Sequence, residues 1–130
     1  MGDSIFPSIF FLRYASSVIM IVDDNPHIRA LIRRHVEVLQ NDSDFFECDD
    51  GLAAVEAYRK LRPTIVLMDI KMNGMDGLTA TENILHMDPS ARVIIVSNFD
   101  EPELRLAAER AGARGYVLKE ELQTIRELMQ

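Results

Sequence analysis

Apolar residues fall along the chain in two alternating rhythms. Short runs occur at Val18–Val22, 64–68 and 91–96, with less uniformly apolar ones at Asp44–Cys48 and 113–118. Runs of this length, rich in β-branched residues, suit strands buried on both faces of a sheet. Between them the spacing changes to that of helices. Ile28, Leu31, Ile32, Val36 and Leu39 predict a helix over 26–40, with Asn25 as N-cap and Pro26 in the first turn. Ala53, Ala54, Val55, Ala57, Tyr58 and Leu61 predict a second that opens at Gly51 and stops at Pro63. A third runs from about 77 to 86, ahead of Asp88-Pro89. A fourth starts at Glu101-Pro102, carries Leu104, Ala107, Ala108 and Ala111 on one face, and ends at Gly112. A last helix is expected over about 120–129.

Strand and helix thus alternate five times with short connections, so the expected fold is α/β, a parallel sheet covered on both faces. No linker or second domain interrupts the pattern. In such a sheet every carboxyl end lies on one edge, where ligands bind. The strand over 64–68 runs straight into Asp69 and then into the turn-rich Asn73-Gly74-Met75-Asp76-Gly77. Asp23-Asp24 follow the first strand, Ser97 ends the fourth, and Lys119 follows the fifth. Each has an ordinary explanation: a carboxylate complementing a helix dipole, a turn-forming serine, a solvated lysine. Their coincidence at successive strand ends favours a shared site.

Three aspartates packed together repel, and their pKa values rise unless a cation joins them. Carboxylates without His or Cys select a hard cation, and an open site with few protein ligands suits Mg²⁺ better than Ca²⁺. A carboxylate beside a metal, a lysine and a hydroxyl is what phosphoryl transfer to an aspartate needs.

Charge narrows the partners. The 130 residues carry 14 Lys plus Arg against 21 Asp plus Glu, a net charge of -7. An acidic domain lacks the footprint of a nucleic-acid binder, so any DNA-directed role belongs to another domain. One cysteine, Cys48, forbids an internal disulfide, fits a reducing cytoplasm, and reads as a small core residue. No apolar stretch is long enough to span a membrane. Residues 1–16 include the apolar Ile5-Phe6-Pro7-Ser8-Ile9-Phe10-Phe11-Leu12, preceded by Asp3 rather than by a basic region. They read as an extension outside a domain over 17–130: a tag, a start-site artefact or a surface tail, not a signal peptide.

The motifs Val22-Asp23-Asp24-Asn25-Pro26, Leu67-Met68-Asp69-Ile70-Lys71-Met72, Gly74-Met75-Asp76-Gly77, Ile95-Val96-Ser97 and Gly115-Tyr116-Val117-Leu118-Lys119 resemble the receiver domain of two-component response regulators. The resemblance covers about residues 17–130, in order. It implies a CheY-like, flavodoxin-like three-layer fold with strand order 2-1-3-4-5. It implies that Asp69 is the phosphoacceptor, served by a sensor histidine kinase. Asp24, Asp69 and the Lys71 carbonyl would bind Mg²⁺ directly and Asp23 through water. Lys119 and Ser97 would contact the phosphoryl group. Tyr116 matches the aromatic that swings inward when the Ser or Thr moves. Lys71 and Phe99 occupy the positions that flank the approach of water, and so would tune hydrolysis. Such a protein is a switch with self-phosphorylation and autodephosphorylation rather than a stand-alone enzyme, and it dimerises or drives a transcriptional output when phosphorylated.

The sequence departs from the family pattern twice. Asn73 stands where proline is usual, implying a looser loop. Glu120 follows Lys119 where many relatives have proline; with the run from Gly112 to Glu120 it resembles the LuxR/NarL subgroup, whose receivers precede a helix-turn-helix domain. Two other classes compete. Phosphohydrolases with an Asp nucleophile resemble a pattern with a second Asp two residues on; here that position is Lys71. An interaction module indifferent to phosphate has no need of Asp24, Asp69, Ser97 and Lys119 together.

Overall fold

The computed structural model describes residues 17–40 and 42–129. Strands β1 (Val18–Val22), β2 (Asp44–Cys48), β3 (Ile65–Met68), β4 (Val93–Ser97) and β5 (Gly115–Leu118) form one parallel sheet in the order β2-β1-β3-β4-β5. Helices α1 (Pro26–Leu39), α2 (Gly51–Leu61), α3 (Gly77–Met87) and α4 (Pro102–Ala111) connect them. A 3₁₀ segment, Lys119–Thr124, and the short α5 (Ile125–Leu128) follow β5. The flavodoxin-like order expected from the sequence is therefore present.

Alternate strand residues point to opposite faces, and this divides the core in two. Met20, Val22, Val66, Met68, Val93 and Ile95 pack with Ala54, Val55, Tyr58, Ala80, Ile84 and Ala108 of α2, α3 and α4. Ile19, Ile21, Ile65, Leu67, Ile94 and Val96 pack with Ile32 and Val36 of α1 and with Leu122, Ile125 and Met129 near the C-terminus. β3 and β4 are buried at every residue, which is why their sequences read as unbroken apolar runs. Each fully buried Ile or Leu contributes about 1.5–3 kcal/mol. Cys48 lies in the first of these clusters, and burial, reinforced by Asp50 and Asp49, pushes its thiol up to about 11.

Polar punctuation sets the helix ends. Asn25, Asp50 and Asp76 accept hydrogen bonds from the amides of His27, Ala53 and Thr79, opening α1, α2 and α3. Each such cap is worth about 1 kcal/mol. Three expectations need correction. β4 begins at Val93 rather than 91, because the Ala91 amide closes the turn after α3 by bonding to the Asp88 carbonyl. β5 begins at Gly115 rather than 113, because the Ala113 amide is used in ending α4, where it bonds to the Ala108 carbonyl around Gly112 at φ 102°. The last helix is not continuous over 120–129. Residues 119–124 are 3₁₀, Glu121 is non-helical at φ -131° and ψ 46°, and the α-helix covers only Ile125–Leu128. Leu122, Ile125 and Met129 keep helical spacing and are buried, but no side chain caps the segment as it leaves Lys119. The peptide after Lys119 is trans, as are all peptide bonds among the described residues. The expected extension over 1–16 lies outside the described residues.

Candidate functional site

β1 and β3 are neighbours, yet β1 leads by way of α1 to β2 on one side while β3 leads to β4 on the other. The connections diverge, opening a crevice at their carboxyl ends. Asp23 and Asp69 sit there. The Asp69 amide bonds to the Val22 carbonyl at 2.9 Å and the Asp23 amide to the Cys48 carbonyl at 3.1 Å, so the sheet ladder itself fixes both.

Asp23 is fully buried. Its Oδ1 accepts the Asn25 amide at 2.9 Å, and its carbonyl accepts Arg29 Nη1 at 2.7 Å. Its Oδ2 lies 2.7 Å from Lys119 Nζ but receives no well-aligned hydrogen bond; the contact is an ion pair. Asp69, 6 % exposed, has Oδ1 3.2 Å from Lys119 Nζ and 2.9 Å from the Ile70 amide. Burial and the nearby Asp23 push the Asp69 carboxyl up to about 6, against the pull of Lys119 and the Ile70 amide. Burial acts to lower the Lys119 pKa, but the contacts with Asp23 and Asp69 outweigh it and the net shift is upward. Lys119 is therefore a fixed ammonium between two carboxylates.

Asp24 is exposed, and oxygens of Asp23, Asp24 and Asp69 lie within 4.8 Å of one another. Three carboxylates face one ammonium, with a buried Oδ2 short of hydrogen bonds. An all-oxygen donor set carrying excess negative charge fits a hard cation such as Mg²⁺.

Ser97 ends β4, fully buried, and its Oγ accepts the Phe99 amide at 3.0 Å. Tyr116 on β5 is half-buried, and its hydroxyl donates to the Phe99 carbonyl at 2.7 Å. Lys71 is exposed, and its Nζ lies 5.0 Å from the centroid of the Phe99 ring. The structure thus brings Asp23, Asp24, Asp69 and Lys119 together. It sets Ser97 on the strand beside β3 and joins Lys71 to Phe99 in a cation–π contact. Gly77, read from the sequence as a turn and helix-start residue, also shapes the site. A Cβ there would collide with the Asp69 carbonyl oxygen, and the Gly77 amide bonds to the Ile70 carbonyl at 2.8 Å. Glycine lets α3 start directly against the backbone of Asp69.

A 2-1-3-4-5 parallel sheet with an acidic cluster at its switch point defines a flavodoxin-like domain of the receiver type. The chain belongs to the response regulator receiver domain family, whose model matches residues 19–130. It is 38 % identical over 104 residues to the chemotaxis protein CheY of Listeria monocytogenes, covering 78 % of this chain and 84 % of that protein. A LuxR-family two-component response regulator from Aurantimonas sp. matches its structure with a TM-score of 0.79 at 33 % identity, covering 88 % of this chain and 85 % of the other. A DNA-binding response regulator of the LuxR family from Staphylococcus aureus matches with a TM-score of 0.78 at 27 % identity, covering 87 % and 95 %. Receiver domains are signalling modules of two-component systems, and phosphorylation and Mg²⁺ binding are general features of the family.

Proposed function

We propose that this chain, over residues 17–130, is a switch that accepts a phosphoryl group on Asp69 from a sensor histidine kinase. One observation carries the reading. Asp69 is a buried carboxyl at a strand end, 3.2 Å from Lys119 Nζ, with oxygens of Asp23 and Asp24 within 4.8 Å. A carboxyl held up at about 6 by burial remains largely ionised at neutral pH and keeps high proton affinity, the condition of a competent nucleophile.

An Asp69 oxygen attacks phosphorus in line; the bond from phosphorus to the donor's imidazole nitrogen breaks, and that nitrogen keeps the electron pair. Lys119 holds one phosphoryl oxygen by charge, and the Ser97 hydroxyl donates to another once it turns from the Phe99 amide. Asp24, Asp69 and the Lys71 carbonyl would hold Mg²⁺ directly and Asp23 would hold it through water; bound there, the ion would supply the positive charge that offsets the carboxylates and phosphoryl oxygens. Turning of Ser97 releases Phe99 and Tyr116, which are joined to it through hydrogen bonds. Lys71 and Phe99, 5.0 Å apart in a cation–π contact, lie across the approach of water and lengthen the life of the aspartyl phosphate.

The switch acts in the cytoplasm through a homodimer or a transcriptional output domain, not as a stand-alone enzyme. The LuxR-family likeness supports the transcriptional output. No helix among the described residues is long and apolar enough to cross a membrane. The test is intact mass after incubation with acetyl phosphate or phosphoramidate. Phosphate is incorporated with Mg²⁺, lost with EDTA and absent in Asp69→Asn; incorporation that persists in Asp69→Asn overturns the assignment.

A further inference from the structure

The outward face of Tyr116 is held by a residue that no part of the phosphoryl chemistry requires. The guanidinium of Arg105, on α4, lies 4.6 Å from the centroid of the Tyr116 ring. Arg105 Nε also donates to Asp100 Oδ1 at 2.7 Å, and Asp100 directly follows Phe99, whose carbonyl accepts the Tyr116 hydroxyl at 2.7 Å. The ring is therefore fixed at its tip by the loop between β4 and α4, and on its face by a cation that the same loop orients. The same Phe99 is tied to Ser97 through its amide at 3.0 Å.

These contacts form a closed frame: Ser97, Phe99, Tyr116, Arg105, Asp100. An exposed ion pair contributes little by itself, and Arg105 is 43 % and Asp100 62 % exposed. The contact with Asp100 does something else. It limits the rotamers of a long side chain and keeps its planar group over the ring, so less freedom is lost when the stack forms. If Tyr116 turns inward it loses its hydrogen bond to Phe99 and the Arg105 face in the same movement.

We propose that Arg105 is a positioning residue that holds Tyr116 outward and thereby sets how much phosphoryl-site occupancy is needed to turn the switch. The inference rests on the reading of Tyr116 as the moving aromatic. A stack of this kind at an exposed site alters such an equilibrium about two- to fivefold. Removing Arg105 eases the inward turn. Asp100→Ala acts in the same direction and more weakly, because the guanidinium stays but is no longer aimed.

The experiment uses the full chain with 3-fluorotyrosine at its three tyrosines. Fluorine NMR follows the Tyr116 resonance, assigned with Tyr116→Phe, while beryllofluoride and Mg²⁺ are titrated in. In wild type the resonance moves to a new position. In Arg105→Ala it moves at about two- to fivefold lower beryllofluoride, Arg105→Lys restores part of the difference, and Leu106→Ala, at an exposed neighbouring position, leaves the midpoint unchanged. The inference is overturned if Tyr116 moves in wild type but the Arg105→Ala midpoint equals it, or if Leu106→Ala shifts the midpoint as much. A wild-type Tyr116 resonance that stays still while the Asp69 loop amides respond overturns the switch reading itself, and this inference with it.

Discussion

Two aspartates at opposite edges of the sheet show what the fold does with the same functional group. At the amino edge Asp88 has a surplus of donors. It accepts the Tyr58 hydroxyl at 2.7 Å, the Ser90 hydroxyl at 2.8 Å and the Ser90 amide at 3.1 Å, with Arg62 at 3.2 Å. Those bonds, the one from Tyr58 foremost, hold its carboxyl down at about 2. At the carboxyl edge Asp69 has a surplus of acceptors around it, and burial beside Asp23 pushes it up to about 6. The first cluster ties α2 to the turn after α3 and stabilises the fold. The second stores unfavourable negative charge of the kind that a bound cation relieves. Electrostatic strain at one edge is compensated by satisfied polar groups at the other, as expected where function and stability compete.

The largest effect expected comes from removing the ammonium that lies between Asp23 and Asp69. Lys119→Met leaves Asp23 and Asp69 without their ammonium. In EDTA it should lower unfolding free energy by about 2–4 kcal/mol, since an uncompensated buried charge remains. Urea unfolding measures it, and added Mg²⁺ should recover part of the loss.

Asp69→Asn should act in the opposite direction. The folded pKa of about 6 lies above the ordinary 3.8, so the folded state binds the proton more tightly and ionisation costs stability. That cost is absent below about pH 4 and fully present above about pH 6. At pH 7 without metal, Asp69→Asn should gain about 1–2 kcal/mol, a figure reduced because the site opens to solvent on one side, and the gain should vanish at pH 4. Unfolding at the two pH values checks both the size and the sign.

Asp88 reverses that dependence. Its folded pKa lies below 3.8, so its contribution is present above about pH 4 and is lost as the pH falls through about 2. Tyr58→Phe removes the first of its donors, should lower stability modestly at neutral pH, and should leave phosphorylation of Asp69 unchanged. A phosphorylation defect in Tyr58→Phe would erase the division between the two edges.

The sequence carried the strained edge more fully than the satisfied one, for a physical reason. Asp23, Asp69, Ser97 and Lys119 each directly follow or end an apolar run, and a parallel sheet collects such positions on one edge. Tyr58 on α2 and Asp88 in the turn after α3 stand thirty positions apart, and no local period joins them. The same limit hid Arg105 over Tyr116, the collision that forbids a side chain at Gly77, and the kink at Glu121. A last helix over about 120–129 was legible in outline; the departure of its backbone from the helical region at Glu121 was not.

The smallest effect concerns the mouth of the strained edge. Lys71→Ala and Phe99→Ala each remove one half of the cation–π contact, and the aspartyl phosphate should decay a few-fold faster in both. Slower or unchanged decay in both variants would contradict the shielding role.

The contrast itself is open to a single measurement. Carboxyl carbon NMR of the full chain, titrated from pH 2 to 8 in EDTA and again in saturating Mg²⁺, reports both aspartates together. Asp69 should titrate near 6 and Asp88 near 2 without metal, with Mg²⁺ driving only Asp69 downward. An Asp69 midpoint at or below the ordinary 3.8 in EDTA, or one that Mg²⁺ leaves in place, would contradict the contrast.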